Sequence, residues 1–236
     1  MLPDMDRIKE LLAVTGSFIR PGGLELTERA VEFCRFGPGS RVADIGCGVG
    51  GSLKYLRQAL HIDGLGIEPS AALLDAGRRS PGATLIQGVA EGLPLKDGCL
   101  DGILCECVAS LIQDLDSALS EFRRVLKPGG SLVISDLYAR SPACERISAR
   151  AFGRFATRTK EEITGLLPTH RFSLLLWEDH TDELKELAAQ LILTHGSVDG
   201  LRKALCGDDG TRNGRLLHLP ASPGYFLMIA HKFAGG

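Results

Sequence analysis

The chain has 236 residues, enough for one large domain with its own core. Apolar residues make up 44% and charged residues 24%, the proportions of an ordinary globular protein, and the formal net charge is −2. With no long basic block and no run near the roughly 20 apolar residues that span a bilayer, nucleic acid as main partner and membrane insertion are both disfavoured.

In chain order, Ile8, Leu11 and Leu12 mark one helical face within Met5 to Val14, a stretch whose acidic start and short apolar run do not read as a signal peptide. Pro21, Gly22 and Gly23 break the chain, and Thr27 reads as the N-cap of a helix reaching Phe36. A strand over Arg41 to Ile45 runs into the glycine-rich stretch ADIGCGVGG. Leu53, Leu56 and Leu60 stripe the next helix, and Gly64 to Glu68 form a short buried strand. Pro69 fits the first turn of a helix carrying Leu73 and Leu74. Further strands are expected over Ala83 to Gly88 and Cys99 to Cys107. A helix striped by Leu115, Leu119, Phe122 and Leu126 is then stopped at Lys127 to Gly130, before a strand over Ser131 to Tyr138 that is apolar on both faces.

The last third is expected to hold a helix over Thr159 to Leu167 and a sixth strand over Arg171 to Glu178. A helix carrying Leu184, Leu187 and Leu191 follows, with Gly196 as its C-cap. A short helix over Val198 to Cys206, a turn-rich loop over Gly207 to Gly214 and a seventh strand over Gly224 to Lys232 complete the chain. About 45 residues separate the last two strands, where a handful is usual, so this insert is expected to cover the ligand end of the sheet. Strands alternating with helices imply an α/β, doubly wound (Rossmann-like) architecture with the ligand at the carboxyl ends of the strands.

Seven cysteines show no CxxC pair and no zinc-like spacing, and most lie in apolar segments. A reducing, cytoplasmic setting and no metal site are expected.

Gly46, Gly48 and Gly51 satisfy GxGxxG, which leaves a nicotinamide enzyme open. Two carboxylates discriminate. Asp44 sits two residues before the first glycine, where a pyrophosphate on the helix N-terminus would be repelled and a cationic ligand favoured. Glu68 ends strand two, 22 residues after Gly46, where an acidic group accepts from ribose hydroxyls. Adenosine together with a cation describes S-adenosylmethionine (SAM).

The stretches VADIGCGVGG, GIEPS, GVAEGLPL and LKPGGSLVISDLY resemble, in order and spacing, the successive motifs of the class I SAM-dependent methyltransferases. The texture is closest to the small-molecule branch that includes quinone-biosynthesis and arsenite enzymes. The resemblance covers Arg41 to Tyr138, with GYFLMIAHK as the family's last strand. It implies a seven-stranded, mostly parallel sheet whose last strand is antiparallel. A single domain is expected over 1–236, with a helical flap over 1–36 and a mostly helical insert over 180–222 above the active site. It implies SAM as cofactor, S-adenosylhomocysteine (SAH) as product and a small-molecule acceptor. The oligomeric state stays open, a homodimer included.

By the same resemblance, Asp44 with the backbone of Gly46, Cys47, Gly48 and Gly50 holds the methionine part. Glu68 takes the ribose hydroxyls and Pro69 flanks the adenine. Ala90 and Glu91 read the adenine edge, and Glu106 ends strand four beneath the sulfonium. One position departs: where the family commonly has an aspartate for the adenine amine, this chain has Val89.

Methyl transfer from a sulfonium needs positioning more than a dedicated base, so no catalytic residue is assigned. Alternation puts Cys105 and Cys107 on one face of strand four. Core packing is the simpler role; the alternative, with Cys144, is a thiol set for a soft substrate such as arsenite, and no full set maps. His180 and His195 flank the insert helix, as surface or capping groups before bases. Tyr138 and Asp136 end strand five on the ligand side. Arg20 in IRPGG reads as an ordinary turn residue or a contact for the SAM carboxylate. A SAM-binding protein without transferase activity is the alternative of another class.

Overall fold

Strand β1 (Arg41–Ile45) is buried at four of its five positions, and a strand buried on both faces needs a layer of cover on each side. The structure, a computed structural model, describes residues 20–79, 84–140, 158–194, 196–197 and 223–233. The helices expected at Met5 to Val14 and Val198 to Cys206, the loop at Gly207 to Gly214, and His195 and Cys144 lie outside them.

Helix α1 (Gly23–Cys34) precedes β1. Then follow α2 (Gly51–Leu60), β2 (Asp63–Glu68), α3 (Ala71–Arg78), β3 (Thr84–Gln87) and β4 (Leu100–Glu106). A 3₁₀ turn (Ala109–Leu111) leads to α4 (Leu115–Val125) and β5 (Leu126–Tyr138). The chain continues through α5 (Lys160–Thr169), β6 (Phe172–Asp179), α6 (Thr181–Thr194) and β7 (Gly224–Lys232).

The seven strands form one sheet in the order β3-β2-β1-β4-β5-β7-β6. β7 runs antiparallel to both β5 and β6, and the remaining pairs are parallel. The expected architecture therefore holds. Two apolar layers follow from strand alternation. Ala43, Ile45, Ile103, Cys105 and Ile134 pack with Leu119 and Phe122 of α4 and Leu167 of α5. Val42, Leu104, Val133 and Leu227 pack with Ala30 and Val31 of α1, Leu53 and Leu56 of α2 and Leu74 of α3. The chain runs outward through β1, β2 and β3, then crosses back to β4. The switch in strand order thus falls between β1 and β4, beside the glycine-rich turn.

Three local expectations are corrected. Thr27 is no N-cap: Gly22 holds that position, and Thr27 lies fully buried inside α1. Pro69 stands before the N-cap of α3, which is Ser70, whose hydroxyl accepts from Leu73 N. Lys127 to Gly130 do not separate a helix from a strand. α4 has already ended at Val125, and β5 starts at Leu126, which pairs with Leu100 before the register jumps to Gly102 and Ser131. α5 begins as its sequence foretells: Thr159 and Glu162 form a reciprocal capping box.

Candidate functional site

The register of β2, β1 and β4 assembles a carboxylate cluster. Asp44 is paired with Gly66 on one side and Leu104 on the other. Glu68 and Glu106 stand two residues further along their strands, on the face that Asp44 occupies and flanking the first glycine. All three are buried, at 4%, 5% and 8% exposure respectively.

The glycine turn closes over them because its backbone enters the left-handed region. Gly46 has φ of +72°, and a Cβ there would stand 2.3 Å from Val108 Cγ2, so only glycine fits. Gly48 and Gly50 also have positive φ, and Gly50 caps α2.

The three carboxylates have different partners. Glu68 accepts from Gly48 N (3.1 Å) and from Ser70 N (2.9 Å). The negative charge wanted at the start of a helix is thus supplied by the protein itself, in the place a pyrophosphate would need. Glu106 accepts from Thr27 Oγ1 (2.9 Å) and Ser52 Oγ (3.3 Å), and pairs with Arg20 Nη2 at 3.1 Å. Arg20 also donates to Ser52 Oγ (3.2 Å) and Gly23 O (3.1 Å). Asp44 accepts no hydrogen bond among the described residues. Burial is the main force raising its pKa; the Glu106 charge adds to it, Arg20 opposes it, and Glu68 adds the smallest part. A deeply buried carboxylate without donors is costly unless something else completes it.

The other expected residues fall around this centre. Gln87 Nε2 donates to Pro69 O (3.2 Å) and Gly88 N to Glu68 O (3.3 Å), which draws the turn after β3 beside Glu68. In that turn Ala90 is buried, Val89 is exposed, and Glu91 accepts from Gln113 N (3.3 Å). Cys47 packs its sulfur toward Gly66, and burial raises its thiol pKa, so it is a poor nucleophile. Among the described residues no three His, Cys, Asp or Glu side chains converge to hold a metal ion.

Residues 43–134 match the family described as "Methyltransferase domain". Phosphoethanolamine N-methyltransferase 1 of Arabidopsis thaliana is 29% identical over 181 residues, 72% of this chain and 36% of that protein. The chain thus spans about a third of that relative's length. A solved structure of Haemonchus contortus phosphoethanolamine N-methyltransferase 2, in complex with phosphomonomethylethanolamine and S-adenosylhomocysteine, matches with a TM-score of 0.77 at 18% identity; the match covers 96% of this chain and 57% of that one. The SpnF cyclase matches with a TM-score of 0.75 at 23% identity, over 98% of this chain and 94% of that one, and at such identities the likeness is one of fold.

Residues 43–134 of the chain are a methyltransferase domain, carried on the fold of the class I SAM-dependent methyltransferases.

Several candidates in this methyltransferase domain have internal duties. Asp136, 2% exposed, accepts from Ser110 N (2.8 Å), Ser110 Oγ (2.8 Å) and Leu137 N (2.7 Å). Tyr138 donates to Asp179 and stands edge-on to Trp177 and Phe226. The His180 ring lies between Glu183 (2.9 Å) and Glu178 (3.2 Å), and Glu178 also pairs with Arg29.

Cys105 and Cys107 do not share a face. Cys105 is wholly buried in the layer with α4. β4 ends at Glu106, and Cys107 adopts φ of +57°, which turns its sulfur to the opposite face, 3.0 Å from Tyr225 Oη. Tyr225 in turn donates to Ser135 Oγ (3.3 Å), and burial pushes the Cys107 thiol up to about 12. Sequence reasoning missed Thr27 and Ser52 as Glu106 partners. A threonine in the buried stripe of Leu26, Ala30 and Val31 was the available signal, because a polar group there needs a partner.

Proposed function

We propose that this domain binds SAM at the carboxyl ends of β1, β2 and β4 and transfers its methyl group to a small-molecule acceptor. The observation that carries the reading is Asp44, a carboxylate 4% exposed with no donor among the described residues. A ligand bearing an ammonium and a sulfonium completes that group, and a phosphate does not. When bound, SAM supplies an electrophilic methyl: the acceptor's lone pair takes the carbon, the C–S electron pair stays on sulfur, and the positive charge passes to the acceptor until it sheds a proton.

Asp44 and the backbone of Gly46, Cys47, Gly48 and Gly50 hold the methionine part in this reading. Glu68, fixed by Gly48 N and Ser70 N, keeps lone pairs for the ribose hydroxyls. Pro69, Ala90 and Glu91 border the adenine, with Val89 replacing the usual aspartate, and Glu106 lies beneath the sulfonium. The chain's work is to fix the reacting atoms and exclude water, and no residue is assigned as a base. Of the N-terminal segment, Arg20 and Thr27 reach Glu106 at this end of the sheet. The five described cysteines are all free, which supports a reducing, cytoplasmic setting.

A thermal-shift and turnover experiment tests the reading. SAM, and not NAD, raises the melting temperature, and SAH accumulates with at least one acceptor of a small-molecule panel. Stabilisation by NAD alone refutes the site assignment. Since fold does not dictate reaction, SAM binding without SAH formation across the panel refutes the transferase half.

A further inference from the structure

The charge around the glycine turn is unbalanced. Asp44, Glu68 and Glu106 are each at most 8% exposed. Among the described residues, Arg20 is the cation that the structure sets against these three carboxylates, in an ion pair with Glu106. Glu68 has both oxygens engaged by backbone N–H groups. Glu106 is different: its counter-charge is a side chain from outside the sheet, held at 3.1 Å and only 11% exposed. It ends β4, across the switch in strand order from Glu68.

SAM and SAH share the adenosine, the amino group and the carboxylate. They differ by one methyl and one positive charge. Contacts to the shared parts cancel when the two affinities are divided, so the ratio reports the field at the sulfur.

We propose that Glu106 determines the preference of this site for SAM over SAH, with Arg20 as the opposing charge that sets its strength. The carboxylate favours the sulfonium over the neutral thioether, so transfer of the methyl removes one attraction between site and ligand, whatever the other contacts contribute. The inference rests on the SAM-binding reading above.

The test is calorimetric titration of the full chain with SAM and with SAH, in the wild type and four variants. Glu106→Gln lowers the ratio of the SAH to the SAM dissociation constant by about tenfold, the size expected for one charge across a partly buried site. Arg20→Gln raises that ratio. The double variant, which removes one charge of each sign, returns it to within about threefold of wild type, and Glu106→Asp keeps it near wild type. A merely structural ion pair predicts otherwise, because either single variant breaks the same contact and both shift the ratio the same way or leave it unmoved; that result overturns the proposal. If the wild type binds neither SAM nor SAH, the SAM-binding reading itself falls, and this inference with it.

Discussion

Two aspartates near the carboxyl end of one sheet are nearly equal in burial and opposite in circumstance. Asp136 on β5 is 2% exposed and receives three donors, two from Ser110 and one from its neighbour Leu137. Asp44 on β1 is 4% exposed and receives none among the described residues. Burial raises the pKa of both. Asp136 is finished within the fold: it pins the 3₁₀ turn after β4 to β5. Asp44 is left without a donor among the described residues, at the switch point where the SAM-binding proposal needs an open carboxylate.

The sharpest way to break this comparison is to neutralise each aspartate in turn. Asp44→Asn should weaken SAM binding by about 100-fold or more, as loss of a desolvated charge partner does, while the ligand-free melting temperature stays level or rises. Asp136→Ala should do the reverse. Three stranded donors cost about 3 kcal/mol in chemical denaturation, with SAM affinity moved less than about threefold. If both variants lose affinity and stability alike, the division between the two sites is wrong.

Gly46→Ala tests the turn itself. The left-handed backbone and the 2.3 Å approach to Val108 Cγ2 predict a loss of about 3 kcal/mol. Adding Val108→Ala should recover the packing part and leave about 1 kcal/mol of backbone strain, measured by urea unfolding.

Acidity gives a smaller effect of defined sign. A carboxyl whose folded pKa is raised binds a proton that the unfolded chain has released. Asp44's contribution to ligand-free stability is therefore complete below about pH 4 and lost as pH rises through its raised value. SAM favours the ionised form, against the like charges of Glu106 and Glu68 and with Arg20 nearby, so its binding should release protons and tighten with rising pH. Calorimetry in buffers of different ionisation enthalpy measures this, and Asp44→Asn should abolish it while Asp136→Asn should not.

The smallest change is Cys107→Ser, expected to alter SAM affinity and turnover less than about threefold. Cys107→Gly should gain up to about 1 kcal/mol by relieving the positive φ.

Much of this was legible beforehand, for physical reasons. Apolar runs between turn residues located all seven strands, most clearly β1, β4, β5 and β7, which are largely buried and so apolar through most of their length. The glycine spacing and the two acidic strand ends located the cluster. What escaped notice depended on single backbone angles or on distant partners. The alternation rule fails at Cys107 because one left-handed residue reverses a side chain's face. Thr27 looked like a cap because threonine favours caps, and its partner, Glu106, lies 79 positions away. Lys127 to Gly130 looked like a stop because proline and glycine punctuate helices, yet a shift in ladder register absorbs them into β5.

The 180–223 stretch leaves β6 and rejoins β7 at adjoining points. His180 N donates to Tyr225 O (2.8 Å), and Tyr225 N donates to Thr181 Oγ1 (3.2 Å). A loop whose stem is clamped in this way is thermodynamically modular: doubling its length costs only about 0.6 kcal/mol of closure entropy. A different segment grafted between those two clamps is therefore expected to leave the sheet and the glycine turn standing.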